Sequence, residues 1–177
     1  MSTHPAIRWP EGLAPALAHV HTVNVLDVAV SPAQLWPWLV RATRWPDYYG
    51  NARRVRLAGD ADELALGLAF HWWTFGVPVR TVVDDLAPHA RLAWRGAGLG
   101  ARGYHAWLLE PTPTGTRVIT EETQRGAAVW LGRPLLRRGL VRWHQRWIEG
   151  LAAAAALGHP DHVSRGAVRA HLTGEPS

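Results

Sequence analysis

The segment from Arg133 to Leu157 constrains the fold more than any other, because it is the longest stretch with a clear helical period. A helix over this segment would be about 40 Å long. Residues 50–126 have instead the pattern of strands and turns, so we expect the helix to pack on a sheet. Its apolar residues fall on one stripe of the helix surface, which comprises Leu136, Leu140, Trp143, Trp147, Leu151 and Ala154.

The residues before this helix predict a strand, two short helices and a run of antiparallel strands. Residues 20–30 alternate and are rich in β-branched side chains, which is typical of a strand. Ser31 and Pro32 then form a helix start signal, and a second short helix or turn follows at RWPDYYG. Short connections rich in glycine and proline make the next strands antiparallel neighbours. These strands are predicted at 53–58, 66–75, 79–86, 91–96, 103–110 and 117–126.

The alternation of side chains predicts which residues lie opposite one another on the inner face of the sheet. We expect the pairs Phe70–Val83, Val83–Trp94, Trp94–His105, His105–Glu122 and Trp107–Thr120. A shift of one residue would scatter these side chains over both faces, so the apolarity of the predicted face supports the register.

Composition excludes several classes of function. The net charge of +5 invites a nucleic-acid interpretation, but all 19 basic residues are arginines and no reader motif accompanies them, so we predict no nucleic-acid partner. Cysteine is absent, which excludes disulfides and thiolate metal sites. No run of 18 apolar residues and no signal pattern occur, so we expect a cytoplasmic protein without a membrane span.

Eleven tryptophans are many for a chain of 177 residues. Large flat rings with one N–H often form the wall of a site for an apolar ligand. Several of them would alternatively fill the gap between helix and sheet. Both interpretations stay open from the sequence.

His105 and Glu122 are the candidate pair for chemistry, because the predicted register places them opposite each other with Cβ atoms about 5 Å apart. A carboxylate that orients an imidazole in an apolar pocket suits a general base, although such a pair also occurs as a purely structural contact. Glu121 points to the other face and is expected in solvent. The potential metal ligands His159, Asp161, His162 and His171 lie in a predicted tail without a rigid frame, so we predict no metal site there. We also predict no cofactor.

Four sequence segments that contain these strands, turns and helix starts resemble the SRPBCC superfamily, also known as START-like or the birch pollen allergen fold. Within it the chain is similar to the bacterial polyketide cyclase/dehydrase-like group. The four segments are VSPAQLWPWLVRATRWPDYY, GLAFHWWTFGVPVRTVVDDLAPHARLAWRG, HAWLLEPTPTGTRVITEETQ and LLRRGLVRWHQRWIEGL. The resemblance covers residues 20–157, between an irregular arm at 1–19 and a tail at 158–177 predicted to be flexible, with a docked final turn as the alternative.

This resemblance implies an α+β helix-grip fold, in which a curved antiparallel sheet with two short helices wraps around a long C-terminal helix. It also implies a hydrophobic small molecule, such as a polyketide, lipid or sterol-like compound, bound between sheet and helix. We expect a monomer or homodimer; an obligate dimer that buries Trp73 of the outer face would instead indicate a partner-binding or regulatory role. The chain would act as a binder or carrier, or alternatively as a cofactor-independent aromatase/cyclase with His105 and Glu122 as acid/base pair. The expected ligand-binding residues are Phe70, Trp72, Val83, Trp94, His105, Trp107, Thr120, Glu122, Leu140, Trp143 and Trp147.

Overall fold

Seven antiparallel strands form one sheet in the computed structural model, which describes residues 3–174. The order across the sheet is β1-β7-β6-β5-β4-β3-β2, so every strand after β1 pairs with its chain neighbour and β7 returns beside β1. This architecture confirms the predicted α+β helix-grip fold. The strands are β1 (Val20–Val28), β2 (Arg53–Leu57), β3 (Ala69–Thr74), β4 (Val77–Ala87), β5 (Arg91–Gly98), β6 (Ala101–Thr112) and β7 (Gly115–Arg125).

Two short helices, α1 (Pro32–Val40) and α2 (Trp45–Tyr48), follow the first strand as predicted. A capping box fixes the start of α1. The side chain of Ser31 accepts a hydrogen bond from the Gln34 backbone, and the Gln34 side chain accepts one from the Ser31 backbone. These contacts satisfy N–H groups that a helix start leaves without partners. The helix start is therefore encoded locally, in the residues from Ser31 to Gln34.

The long helix α3 runs from Ala127 to Leu157 and begins six residues earlier than predicted. The prediction began the helix at Arg133, but residues 127–132 are also helical, Pro134 lies inside the helix and Gly126 precedes its first residue. Within the predicted stripe, Leu136 and Trp143 are half-buried, whereas the other four residues are buried, namely Leu140, Trp147, Leu151 and Ala154. No helix within residues 3–174 has the length and apolarity needed to span a membrane.

One predicted register is wrong by two residues. Phe70 lies opposite Thr81 rather than Val83, because β3 and β4 are joined by a two-residue turn at Phe75 and Gly76. Both turn residues have positive φ, as in the tight hairpin turns that match strand twist. A shift of two keeps each side chain on its predicted face. The other pairs are confirmed, namely Val83–Trp94, Trp94–His105, His105–Glu122 and Trp107–Thr120.

The N-terminal arm covers the outer face of the sheet. Ile7 and Trp9 pack against a second apolar cluster that includes Tyr104. The Glu121 carboxylate lies beneath this arm and is 1% exposed, so the prediction that it lies in solvent is wrong. It accepts hydrogen bonds from the backbone N–H of His4 and from the His21 ring, at 2.7 and 3.0 Å. The arm thus supplies donors that a buried carboxylate requires.

The segment after α3 differs from the predicted flexible tail. Helix α4 (Arg165–Thr173) is capped by Ser164, whose side chain accepts a hydrogen bond from the backbone N–H of Ala167. Val168 of α4 is fully buried in the main core. The indole of Trp38 donates a 2.8 Å hydrogen bond to the carbonyl of Gly158 at the end of α3. The sequence did not predict that α4 packs on the core, because one buried valine and one helix cap are too few residues to form a recognisable pattern.

Candidate functional site

A cavity of about 350 Å³ lies between the inner face of strands β3–β7 and helix α3, which lines it from Ala128 to Trp147. Helix residues Val129, Gly132 and Leu136 form one wall. Phe75 and Leu99, in the turns before β4 and β6, line the cavity and are 37% and 73% exposed. The cavity therefore opens to solvent between these turns and helix α3.

The deep end of the cavity is aromatic. Trp147 of α3 stacks on Tyr49 with ring centroids 4.1 Å apart. The rings of Trp72 and Trp94 lie within 6.2 Å of Trp147, and all four residues line the cavity. Aromatic contacts of this kind add to the free energy of burial and hold each ring in place. The wall is therefore built from side chains that support one another.

The predicted ligand-binding residues divide into two groups. Trp72, Trp94, His105, Glu122 and Trp147 line the cavity. The remaining six do not line it: five belong to or pack against the apolar clusters of the core, and the sixth is the fully buried Thr120. Thus some tryptophans form a wall and others, such as Trp45, fill the gap between helix and sheet. The six are Phe70, Val83, Trp107, Thr120, Leu140 and Trp143.

Three polar side chains meet on the cavity wall, and we name them the His–Glu–His cluster: His105, Glu122 and His144. Strands β6 and β7 supply the first two as cross-strand partners, and α3 supplies the third. The Glu122 Oε2 atom lies 2.9 Å from Nε2 of His144 and 3.5 Å from Nδ1 of His105. All three residues line the cavity. One carboxylate oxygen is thus shared by two imidazoles from different elements.

Neighbouring side chains orient the cluster. The Nε2 atom of His105 is hydrogen bonded to the Thr120 hydroxyl at 2.5 Å. The Gln124 amide donates to the other carboxylate oxygen of Glu122 at 2.5 Å. The Nδ1 atom of His144 is buried and has no hydrogen-bond partner among the described residues. Both carboxylate oxygens and one histidine are therefore held in fixed orientation.

Burial and hydrogen bonding set the charges in the cluster. Burial lowers the pKa of His105 to about 3, and the nearby His144 acts in the same direction against the opposing charge of Glu122. Burial by itself raises the pKa of Glu122. Hydrogen bonds from His144 and Gln124, together with the charge interactions with the two imidazoles, outweigh burial and lower the pKa to about 2. At neutral pH the His105 ring is therefore neutral and the Glu122 carboxylate is ionised.

Sequence reasoning missed His144 as a member of this site. It lies four residues after Leu140 and three before Trp147, so helical spacing places it within the buried stripe. From the sequence alone, a histidine at the edge of the stripe could reach the cavity or a loop, and such a residue is usually at the surface. In the structure it is 1% exposed. The donor atoms of His105, Glu122 and His144 lie within 4.8 Å of one another and form a candidate ligand set for a metal ion.

The fold and its cavity define a helix-grip protein with an internal site of small-molecule size. The chain belongs to the family described as polyketide cyclase / dehydrase and lipid transport, whose sequence model matches residues 19–156. This confirms the resemblance to the SRPBCC superfamily. A comparison with curated proteins gives no match.

Solved structures support the same fold. The chain is similar to the hypothetical protein jhp0584 of Helicobacter pylori, with 28% identity and a TM-score of 0.79 over 88% of this chain and 99% of that one. Ara h 8.0201 has 12% identity and a TM-score of 0.63, over 78% and 99% of the two chains. DynU16, from the dynemicin biosynthetic locus, has 17% identity and a TM-score of 0.55 over 74% of this chain and 46% of that one.

Proposed function

We propose that the protein binds, as a carrier, one apolar small molecule whose polar group donates a hydrogen bond to Glu122. The observation that carries this proposal is an ionised carboxylate on the wall of a mainly apolar cavity. A cavity of about 350 Å³ is near the lower end of the range for small-molecule sites, roughly 300–1,000 Å³. Its size favours a single short molecule of polyketide or lipid type.

The charge of Glu122 selects among apolar ligands. An alcohol or ammonium group can donate to the carboxylate, whereas a ligand carboxylate is repelled by it. This repulsion is strong because the surrounding wall is apolar and screens charge poorly. Glu122 would therefore contribute to specificity in two ways, by binding alcohols or amines and by repelling carboxylates.

Matched ten-carbon probes test this selectivity. In protein treated with EDTA, near pH 7.5, we expect decylamine and decanol to bind at least about tenfold more tightly than decanoate, measured by isothermal titration calorimetry. Glu122→Gln should bring the three affinities to within about threefold. Glu121→Gln is the matched control, since Glu121 lies under the N-terminal arm on the other face, and it should leave the preference unchanged. Equal affinities in the unaltered protein would contradict the proposal.

A blocking substitution tests the location of the site. Gly132 lines the cavity, and a Cβ atom added there meets no atom of residues 3–174 within 4 Å, so Gly132→Phe should fill the cavity without a backbone clash. We expect it to weaken decanol binding by at least about tenfold. Leu131→Phe is the control, because Leu131 is 74% exposed and does not line the cavity. Equal effects of the two substitutions would place the site elsewhere.

A cofactor-independent cyclase is the second candidate, favoured by the cross-strand position of His105 opposite Glu122 on the cavity wall. It ranks second because a histidine with a pKa of about 3 is a weak base at neutral pH, whereas an efficient general base has a pKa near the working pH. Conversion of a bound polyketide that falls about 100-fold in Glu122→Gln, with unchanged affinity, would reverse this ranking.

A further inference from the structure

We propose that the His–Glu–His cluster is a binding site for one divalent transition-metal ion of the zinc or ferrous class, with open coordination positions facing the cavity. This inference goes beyond the proposed carrier function and does not depend on it. It rests on the positions of three donor atoms, their chemistry and the direction in which the site is open.

The donor atoms already have nearly the spacing that a metal ion requires. An ion bound at about 2.1 Å by nitrogen and oxygen has ligand atoms about 3.0–3.5 Å apart. The separations from Glu122 Oε2 are 2.9 Å to His144 and 3.5 Å to His105. No two donor atoms of the set are more than 4.8 Å apart. A side-chain movement of about 1 Å is therefore enough to surround an ion.

The donor set has the chemistry of such a site. Two imidazoles and one carboxylate suit first-row divalent metals, and a three-residue set leaves further positions for a ligand or water. His105 also has the outer contact typical of a metal-bound imidazole, because its Nε2 atom is hydrogen bonded to Thr120.

The site is rigid and faces the cavity. Its ligands come from two paired strands and the long helix, and His105 and His144 are 5% and 1% exposed. The histidine–carboxylate pair at His159 and Asp161 differs in this respect, because it is exposed in the segment before α4. Since all three members of the cluster line the cavity, the remaining positions of the ion face it. A ligand oxygen in the cavity would complete the coordination.

The test uses the full chain, stripped with EDTA and dialysed, and Co²⁺ or Zn²⁺ alone as the probe. We expect one ion per chain by mass spectrometry of metal content, visible d–d absorption with Co²⁺ and a higher Tm with Zn²⁺. Glu122→Gln and His144→Ala should each weaken binding by at least about 100-fold. Circular dichroism verifies that each variant is folded. Glu122→Gln retains nearly the same shape and keeps the test valid if His144→Ala does not fold.

Two controls separate this site from other histidines. His21→Ala removes the histidine of the outer-face His21–Glu121 pair, and the double variant His159→Ala/His162→Ala alters the exposed group; both should bind as the unaltered protein does. Absence of stoichiometric binding, or binding lost only in the double variant, would overturn the metal site. Decanol binding in EDTA-treated protein would be unaffected by that result, so the two proposals can fail separately.

Discussion

Gly150→Ala is expected to lower the free energy of unfolding by about 3 kcal/mol, which makes it one of the most damaging single changes in the protein. Gly150 lies in helix α3 where the helix crosses α2. A Cβ atom at this position would lie far inside van der Waals contact with the Tyr48 carbonyl oxygen. The collision involves two backbones, so no side-chain rotation relieves it, and the helices have to move apart.

Gly132→Ala is the matched control, since it makes the same change in the same helix at a position where the added Cβ has no described residue within 4 Å. Alanine favours a helix over glycine by about 1 kcal/mol, so this variant should be as stable as the unaltered protein or slightly more stable. Urea denaturation followed by circular dichroism gives both values. Equal stabilities of the two variants would mean that α3 does not approach α2 as closely as described.

Acidification should destabilise the protein well before most carboxylates are protonated. In the unfolded chain His105 takes up a proton below its ordinary pKa of 6.5, whereas in the folded protein it stays neutral until about pH 3. The unfolded state therefore binds more protons in this window, and stability is lost as the pH falls. One such histidine lowers the free energy of unfolding by about 2–3 kcal/mol between pH 6.5 and 4.5.

Glu122 acts in the same direction at lower pH. Its folded pKa is about 2, against an ordinary 4.5, so the stability it contributes is present above pH 4.5 and is lost as the pH falls toward 2. Urea denaturation in EDTA at several pH values measures the combined profile. His105→Gln should reduce the loss between pH 6.5 and 4.5, whereas His71→Gln, at an exposed position, should not. Identical profiles for these two variants would contradict the assignment to His105.

The sequence predicted the sheet and its inner face well because both follow from local rules. Alternation with a period of two fixes which face Trp94, His105 and Glu122 occupy, and short turns fix which strands are neighbours. The β3–β4 register was wrong by two residues because Phe75 takes a positive φ, which only a few per cent of non-glycine residues adopt. The predicted faces are still correct, because a shift of two residues is one full period of side-chain alternation along a strand.

The cavity was less predictable, because its position depends on which rings pack together and which leave space. Trp72 and Trp107 both lie on the inner face, yet only Trp72 lines the cavity. Their strand positions are equivalent in pattern, and the difference comes from their neighbours in space. His144 was missed for a related reason, since a polar residue in a buried helical stripe signals a site only when its partner is known.

The aromatic contacts around Trp147 give the protein a built-in optical property. Its ring lies 4.1–6.2 Å from those of Tyr49, Trp45, Trp72, Trp94 and Trp107, and several of these rings form the cavity wall. Rings at such short separations couple electronically and exchange excitation energy. The near-ultraviolet spectrum is thus a property of the whole aromatic assembly, and a molecule that touches one ring of the wall is reported by all of them.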